Sequence, residues 1–221
     1  MALQTVPFLK SPLPDAIPIF PLSGALLLPG GELPLNIFEP RYIRMVDDAL
    51  AGARMIGMIQ PENIEDTSDR PGLFQIGCAG RLTSFSEAPD RRYLITLTGV
   101  RRFRLMTEID PDKPYRTAQV DWTEFTDDLD KDESIENIDR TALLEAMRKY
   151  LEDEGLKTDW EAASAAPMES LVLSLAMGCP FAPNEKQALL EARTAEARAE
   201  CLLALMQMSG ADAPDADTRL Q

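Results

Sequence analysis

The chain has 221 residues, 45% of them hydrophobic and 27% charged, values of a globular protein that can bury a substantial core in one or two domains. It carries a net charge of −15 and no histidine, which removes Ser-His-Asp and Cys-His catalysis and the common zinc-enzyme sites. The N-terminus lacks a basic start before a long apolar run, and no apolar stretch nears the roughly 18–20 residues of a bilayer span, so the expectation is a cytoplasmic protein without membrane contact.

The first half reads as strands. Ile17, Ile19 and Leu22 form a short apolar run broken by Pro18 and Pro21, which suits an edge strand. Pro29-Gly30-Gly31 supplies turn chemistry, and Leu33, Leu35 and Ile37 then alternate with Pro34 and Asn36 as in a half-buried strand. Ile19, Phe20, Leu33, Leu35, Ile37 and Phe38 are expected in the core.

A helix follows, with Pro40 at its first position, Tyr42, Val46 and Ala49 on its apolar face, and Gly52 as its stop. Further strands are expected at Met55–Gln60, Leu73–Phe85, Arg92–Val100, Arg102–Thr107 and Arg116–Phe125, with a bulge or tight bend at Gly99. Six or so strands with one early helix make a small barrel or rolled sheet.

Charge separates the two halves. Residues 1–120 hold 13 basic and 14 acidic side chains, whereas residues 121–221 hold 9 and 23. The segment from Glu124 to Glu136 is acidic and poor in apolar residues, and it marks a boundary. After it the period becomes helical: Leu144, Met147 and Leu151 share a stripe, and Ala197, Cys201, Leu205 and Met208 share another. Thr158 with Glu161 and Asn184 with Gln187 read as capping boxes.

No P-loop and no GxSxG nucleophile elbow occurs. Cys78, Cys179 and Cys201 are odd in number and widely spaced, so they read as reduced thiols rather than disulfide partners or zinc ligands. Asp128, Asp130 and Asp132 have the first spacings of a calcium loop, but Glu133 stands where that loop needs glycine, so they read as a solvated linker. Arg101, Arg102 and Arg104, with Phe103 interleaved, are weighed as an anion patch and read instead as a solvated face paired with nearby acids. On that reading, replacing all three with Gln leaves nucleic-acid affinity negligible and unchanged.

Several stretches resemble a known family. IPIFPLSGALLLPGGELPLNIFEPRYIRMVDDAL, GCAGRL, RYLITLTGVRRFRL and LVLSLAMGCPFAPNEKQALLEARTAEARAECLLALM are similar, in order, to the N-terminal substrate-binding domain of Lon (La) ATP-dependent proteases. The likeness spans about residues 15–208 and is nearest to short bacterial proteins made of this domain alone. It implies an α+β fold, a PUA-like β-barrel with one short helix followed by a C-terminal α-helical bundle. With the boundary above, this gives a barrel over 1–125, an acidic linker over 126–136, a helical part over 137–208 and a disordered tail over 209–221.

The resemblance also implies a non-catalytic module that binds unfolded or client polypeptides in protein quality control, as adaptor or holdase, working with a protease or chaperone. Neither the Walker lysine of the family's ATPase module nor a Ser-Lys protease dyad is present, so no enzyme activity, cofactor or metal is expected. Two alternatives stay open: RNA binding through the PUA-like barrel, and a small ligand in a cleft between barrel and bundle.

The residues singled out for polypeptide binding are Leu26, Leu27 and Leu28. Three consecutive leucines on an extended backbone cannot all point inward, and they precede a Pro-Gly-Gly turn, where chains run over the surface. Burial is the competing reading, since large exposed apolar patches are uncommon.

Overall fold

The computed structural model describes residues 13–209 apart from 64, 67, 69, 91, 110, 111, 129 and 131. Six strands, β1 (Ala16–Pro21), β2 (Glu32–Ile37), β3 (Met55–Ile59), β4 (Ile76–Glu87), β5 (Tyr93–Ile109) and β6 (Arg116–Asp121), form one sheet in the order β2-β5-β4-β3-β1-β6. Six helices accompany them: α1 (Pro40–Ala51), α2 (Arg140–Asp153), α3 (Trp160–Ala165), α4 (Met168–Gly178), α5 (Pro183–Glu191) and α6 (Ala195–Ser209). The tail expected beyond Ser209 lies outside the described residues.

The sheet closes on itself because β5 is long. Its first half, Leu94 to Thr98, pairs with β2 on one edge; further along, Arg104 to Ile109 pair with β6 on that edge, while β4 holds the other. The sequence suggests two strands separated at Gly99. The structure instead has one strand, with the irregularity absorbed as a register shift opposite Ala79 and Gly80. β1 and β3 are parallel, and the crossover that parallel neighbours require contains α1. Ile17, Ile19, Met55, Ile59, Phe103 and Val120 fill the interior.

The chain divides into two compact units, Met1–Asp130 with Pro180–Leu190, and Lys131–Cys179 with Glu191–Gln221. The first unit is therefore not continuous in sequence: α5, read from the sequence as part of a helical segment over 137–208, lies with the sheet. Buried polar side chains fix it there. Gln60 Nε2 donates to the Pro183 carbonyl (2.9 Å) and to Gln187 Oε1 (3.2 Å), Gln187 Nε2 donates to the Ile76 carbonyl (3.1 Å), and Lys186 Nζ donates to the Gly24 carbonyl (2.7 Å). Gln187, expected in a capping box, is thus spent on the sheet, and Glu185 Oε2 instead accepts the Ala182 amide at the start of α5.

In the second unit aspartates cap α2 and α3, the latter one position away from the expected Thr158. Asp139 accepts two amides at the start of α2, and Asp159 rather than Thr158 accepts the Ala162 amide of α3. The buried stripe of α6 is Ala199, Leu202 and Met206, one step from the expected set, and Met208 is exposed. α2 buries Leu143, Met147, Tyr150 and Leu151.

Asp132 links two elements of this unit. Its carboxylate accepts the Ala195 amide of α6 (2.7 Å) and the Ser134 amide (3.0 Å). The Ala195 bond, helped by Ser134, holds the Asp132 carboxyl below its ordinary value of 3.8. A depressed carboxyl contributes stability above its unfolded pKa and loses it as pH falls through the folded one. The denaturant midpoint should therefore drop between about pH 5 and pH 3, and Asp132→Asn, weaker at neutral pH, should show a smaller drop over that window. Parallel curves for the two proteins would contradict this role.

Candidate functional site

Of the two readings of the leucine segment, the structure bears out burial. Leu26, Leu27 and Leu28 are 2, 1 and 0% exposed. They lie in an irregular segment rather than a strand, so strand alternation does not force any of them outward. That segment is pinned at both ends: the Gly24 amide donates to Gln60 Oε1, its carbonyl accepts from Lys186, and Gly31 donates to Leu28 O. Two sheet glycines make room beneath it. A Cβ at Gly80 would come within 2.8 Å of Leu27 Cδ2, and one at Gly99 would collide with the Leu28 carbonyl.

Exposed apolar surface lies elsewhere, at the end of the β2-β5-β4 segment. Phe38, expected in the core, is 66% exposed just past the end of β2; Leu94 is 49% and Phe85 39% exposed. Leu94 pairs with Asn36 on β2 and with Ser86 on β4, and the Phe85 ring meets the Tyr93 ring edge-on at 4.9 Å. Tyr93 is held by donating to Asp47 Oδ1 of α1. Chain end effects explain Phe38: the strand stops at Ile37, which is buried, and the next residue has left the sheet before α1 begins at Pro40. The sequence carries one signal of this patch, the presence of apolar residues on both parities around Tyr93, Leu94 and Ile95.

Beside the patch runs an open strand edge. β2 has β5 as its recorded partner among the described residues. The Gly99 amide bonds Gly31 O, and alternation from there turns the polar groups of Leu33, Leu35 and Ile37 toward β5 and those of Glu32, Pro34 and Asn36 outward. Pro34 therefore sits at an outward position where its missing N–H costs no ladder bond, and it limits how far another strand can pair there.

The arginine cluster pairs with nearby acids as expected, but Arg102 is buried rather than solvated. Arg102 and Asp128 form an ion pair with side chains 5 and 4% exposed, at 2.6 Å from Nη2 to Oδ1. Asp128 also accepts the Arg102 amide, Arg102 Nη1 donates to the Leu190 carbonyl, and the guanidinium lies 4.6 Å from the Phe125 ring centre. Arg104 pairs with Glu124, and Arg101 donates to the Thr126 carbonyl. The acids with calcium-loop spacing are likewise engaged, Asp128 by Arg102 and Asp132 by two amides. Cys78 and Cys179 are buried and Cys201 is partly buried, and none of the three is in a disulfide.

A groove of about 500 Å³ opens in the second unit, lined by Met147, Leu151, Leu156, Leu171 and Leu175 among others. No helix among the described residues is long and apolar enough to cross a membrane.

The family model for the ATP-dependent protease La (LON) substrate-binding domain matches residues 16–208. The chain belongs to the Lon substrate-binding domain family. Among sequence relatives, Lon protease 2 of Myxococcus xanthus is 29% identical over 207 residues, 89% of this chain and 24% of that protein. The Lon protease of Flavobacterium johnsoniae is 31% identical over 109 residues, 49% of this chain and 13% of that one. The chain thus spans about a quarter or less of the length of these curated relatives. The crystal structure of a Lon N-terminal domain protein from Xanthomonas campestris superposes with a TM-score of 0.59 at 25% identity, covering 86% of this chain and 97% of that one. The N-terminal domain of a Mycobacterium avium complex Lon protease gives 0.59 at 14% identity over 87% and 98%, a likeness that speaks for the fold alone. A mixed α+β fold and a substrate-binding kinship are common ground for this Lon-family chain.

Proposed function

We propose that this chain is a non-catalytic polypeptide-binding module of protein quality control, acting as adaptor or holdase, whose closed sheet is a PUA-like barrel. The observation that carries the reading is the exposure of Phe38 and Leu94 beside the open edge of β2, in a family whose model is named for substrate binding. Large apolar side chains left in water at the end of a sheet suit the apolar segments of an unfolded chain, and aromatic anchors dominate such contacts. Pro34 favours side-chain capture over extended strand pairing. The RNA alternative loses its main support, since Arg102 and Arg104 are committed to Asp128 and Glu124.

The test is the double variant Phe38→Ser/Leu94→Ser. It should weaken binding of a reduced, alkylated unfolded protein by about tenfold or more, with stability changed by less than roughly 0.5 kcal/mol, as at most surface positions. Unchanged affinity in a folded double variant would remove this patch from the binding surface.

A further inference from the structure

A second concavity, of about 360 Å³, lies in the first unit where α1 begins, near the ends of β1 and β3 and the start of β6. Its lining includes Arg41, Tyr42, Arg70, Lys113, Tyr115 and Arg116, with four prolines and no carboxylate among the described lining residues. In an acidic chain this gathering of four cations is the exception, and residues distant in sequence supply it.

The charges are only partly neutralised. Glu108, outside the lining, accepts from both Arg116 and Arg70, and Arg116 also donates to the Pro71 carbonyl (2.8 Å). Arg41 Nε donates to Glu39 (2.9 Å), while its guanidinium lies 4.7 Å from the Tyr42 ring centre. Lys113 lies 5.5 Å from the Tyr115 ring, and Tyr115 donates to Asp48 (2.6 Å). Three flanking acids thus face four cations. Tyr42 is 8% exposed and lines the pocket. Burial, the largest influence, raises its pKa above the ordinary value of 10.0, so the hydroxyl is a proton donor at neutral pH.

We propose that this pocket binds a carboxylate of a polypeptide, with the Tyr42 hydroxyl and the Arg41 guanidinium as its donors and the proline and tyrosine faces holding the neighbouring apolar residue. The inference rests on the polypeptide-binding reading and adds to it a preference for acidic-apolar segments. A single carboxylate matches the one-charge surplus and the volume, which lies at the small end of ligand pockets. A nucleic-acid backbone needs a longer track of free cations.

The test uses the whole chain and two end-blocked, fluorescently labelled pentapeptides, one with an aspartate between phenylalanine and leucine, the other with asparagine there. Anisotropy titrations at about 0.15 M salt should show the aspartate peptide binding roughly fivefold tighter or more, the strength of a charge-assisted pair. Tyr42→Phe and Arg41→Gln should each bring the two peptides within about twofold, and a destabilised Tyr42→Phe would leave the decision to the exposed Arg41. Equal affinity in the unaltered protein, or a preference surviving both variants, overturns the inference. Displacement of the aspartate peptide by an equimolar single-stranded RNA oligonucleotide also overturns it, in favour of a phosphate site. The asparagine peptide reports separately on the exposed apolar patch: if it binds, and Phe38→Ser/Leu94→Ser abolishes that binding, a missing aspartate preference sinks the pocket alone. If neither peptide binds, both readings fall.

Discussion

Asp128→Ala should destabilise the protein by about 3–5 kcal/mol, the range found when one member of a buried ion pair is removed. The cause is the charge left behind. Arg102 keeps its Leu190 carbonyl but loses two oxygens of Asp128, in a place where its side chain is 5% exposed and water cannot replace them. Asp128 also takes the Arg102 amide, so the variant leaves a backbone donor unsatisfied as well. Replacing both members, as Arg102→Met/Asp128→Leu, should cost much less than the sum of the single changes, because no isolated charge remains. Urea denaturation of the three variants completes the cycle. A loss below about 1 kcal/mol for Asp128→Ala would mean that the pair is hydrated in solution. The result also bears on the arginine cluster. Changing Arg101, Arg102 and Arg104 together, innocuous for a solvated face, should act mainly on stability through Arg102.

Leu27→Ser should cost about 3 kcal/mol or more, from lost apolar burial and a hydroxyl carried into the interior. Leu27 is 1% exposed, its Cδ2 lies over Gly80, and the segment around it is tied down at Gly24 and Gly31. Such a site cannot collapse around a smaller side chain, since the anchors on either side hold the backbone in place. The contrast with Phe38→Ser/Leu94→Ser is the informative comparison: one variant loses stability, the other loses binding. A Leu27→Ser protein of unchanged stability and weakened client binding would restore the leucines as surface.

Much of the sheet is legible in the sequence, because alternation at Leu33, Leu35 and Ile37 and at Tyr93, Ile95 and Leu97 is a local signal. Helix α1 is legible for the same reason, with Pro40 at its start and Tyr42, Val46 and Ala49 buried. The reversal of Phe38 and the leucines is not legible. Periodicity predicts which way a strand residue points, but Phe38 is past the strand and Leu26–Leu28 are in none. In α6, alanines, leucines and methionines occupy several sides, so more than one apolar stripe fits the helical period, and packing selects Ala199, Leu202 and Met206. The α5 docking depends on Gln60, Gln187 and Lys186, polar residues whose burial no hydropathy pattern announces. The cationic pocket is hidden by distance along the chain, from Arg41 to Arg116.

The placement of α5 has a consequence for how the chain is made. The last strand ends at Asp121, yet the sheet unit is complete only with residues 180–190. At a synthesis rate of roughly 5–20 residues per second, several seconds separate the two events on the ribosome. During that interval Gly24 lacks Lys186, Gln60 lacks Gln187, and Arg102 lacks the Leu190 carbonyl. The segment carrying Leu26–Leu28 then lacks its Lys186 tie at Gly24. The nascent sheet thus spends seconds with buried polar groups of Gly24, Gln60 and Arg102 waiting for partners that the ribosome has yet to supply.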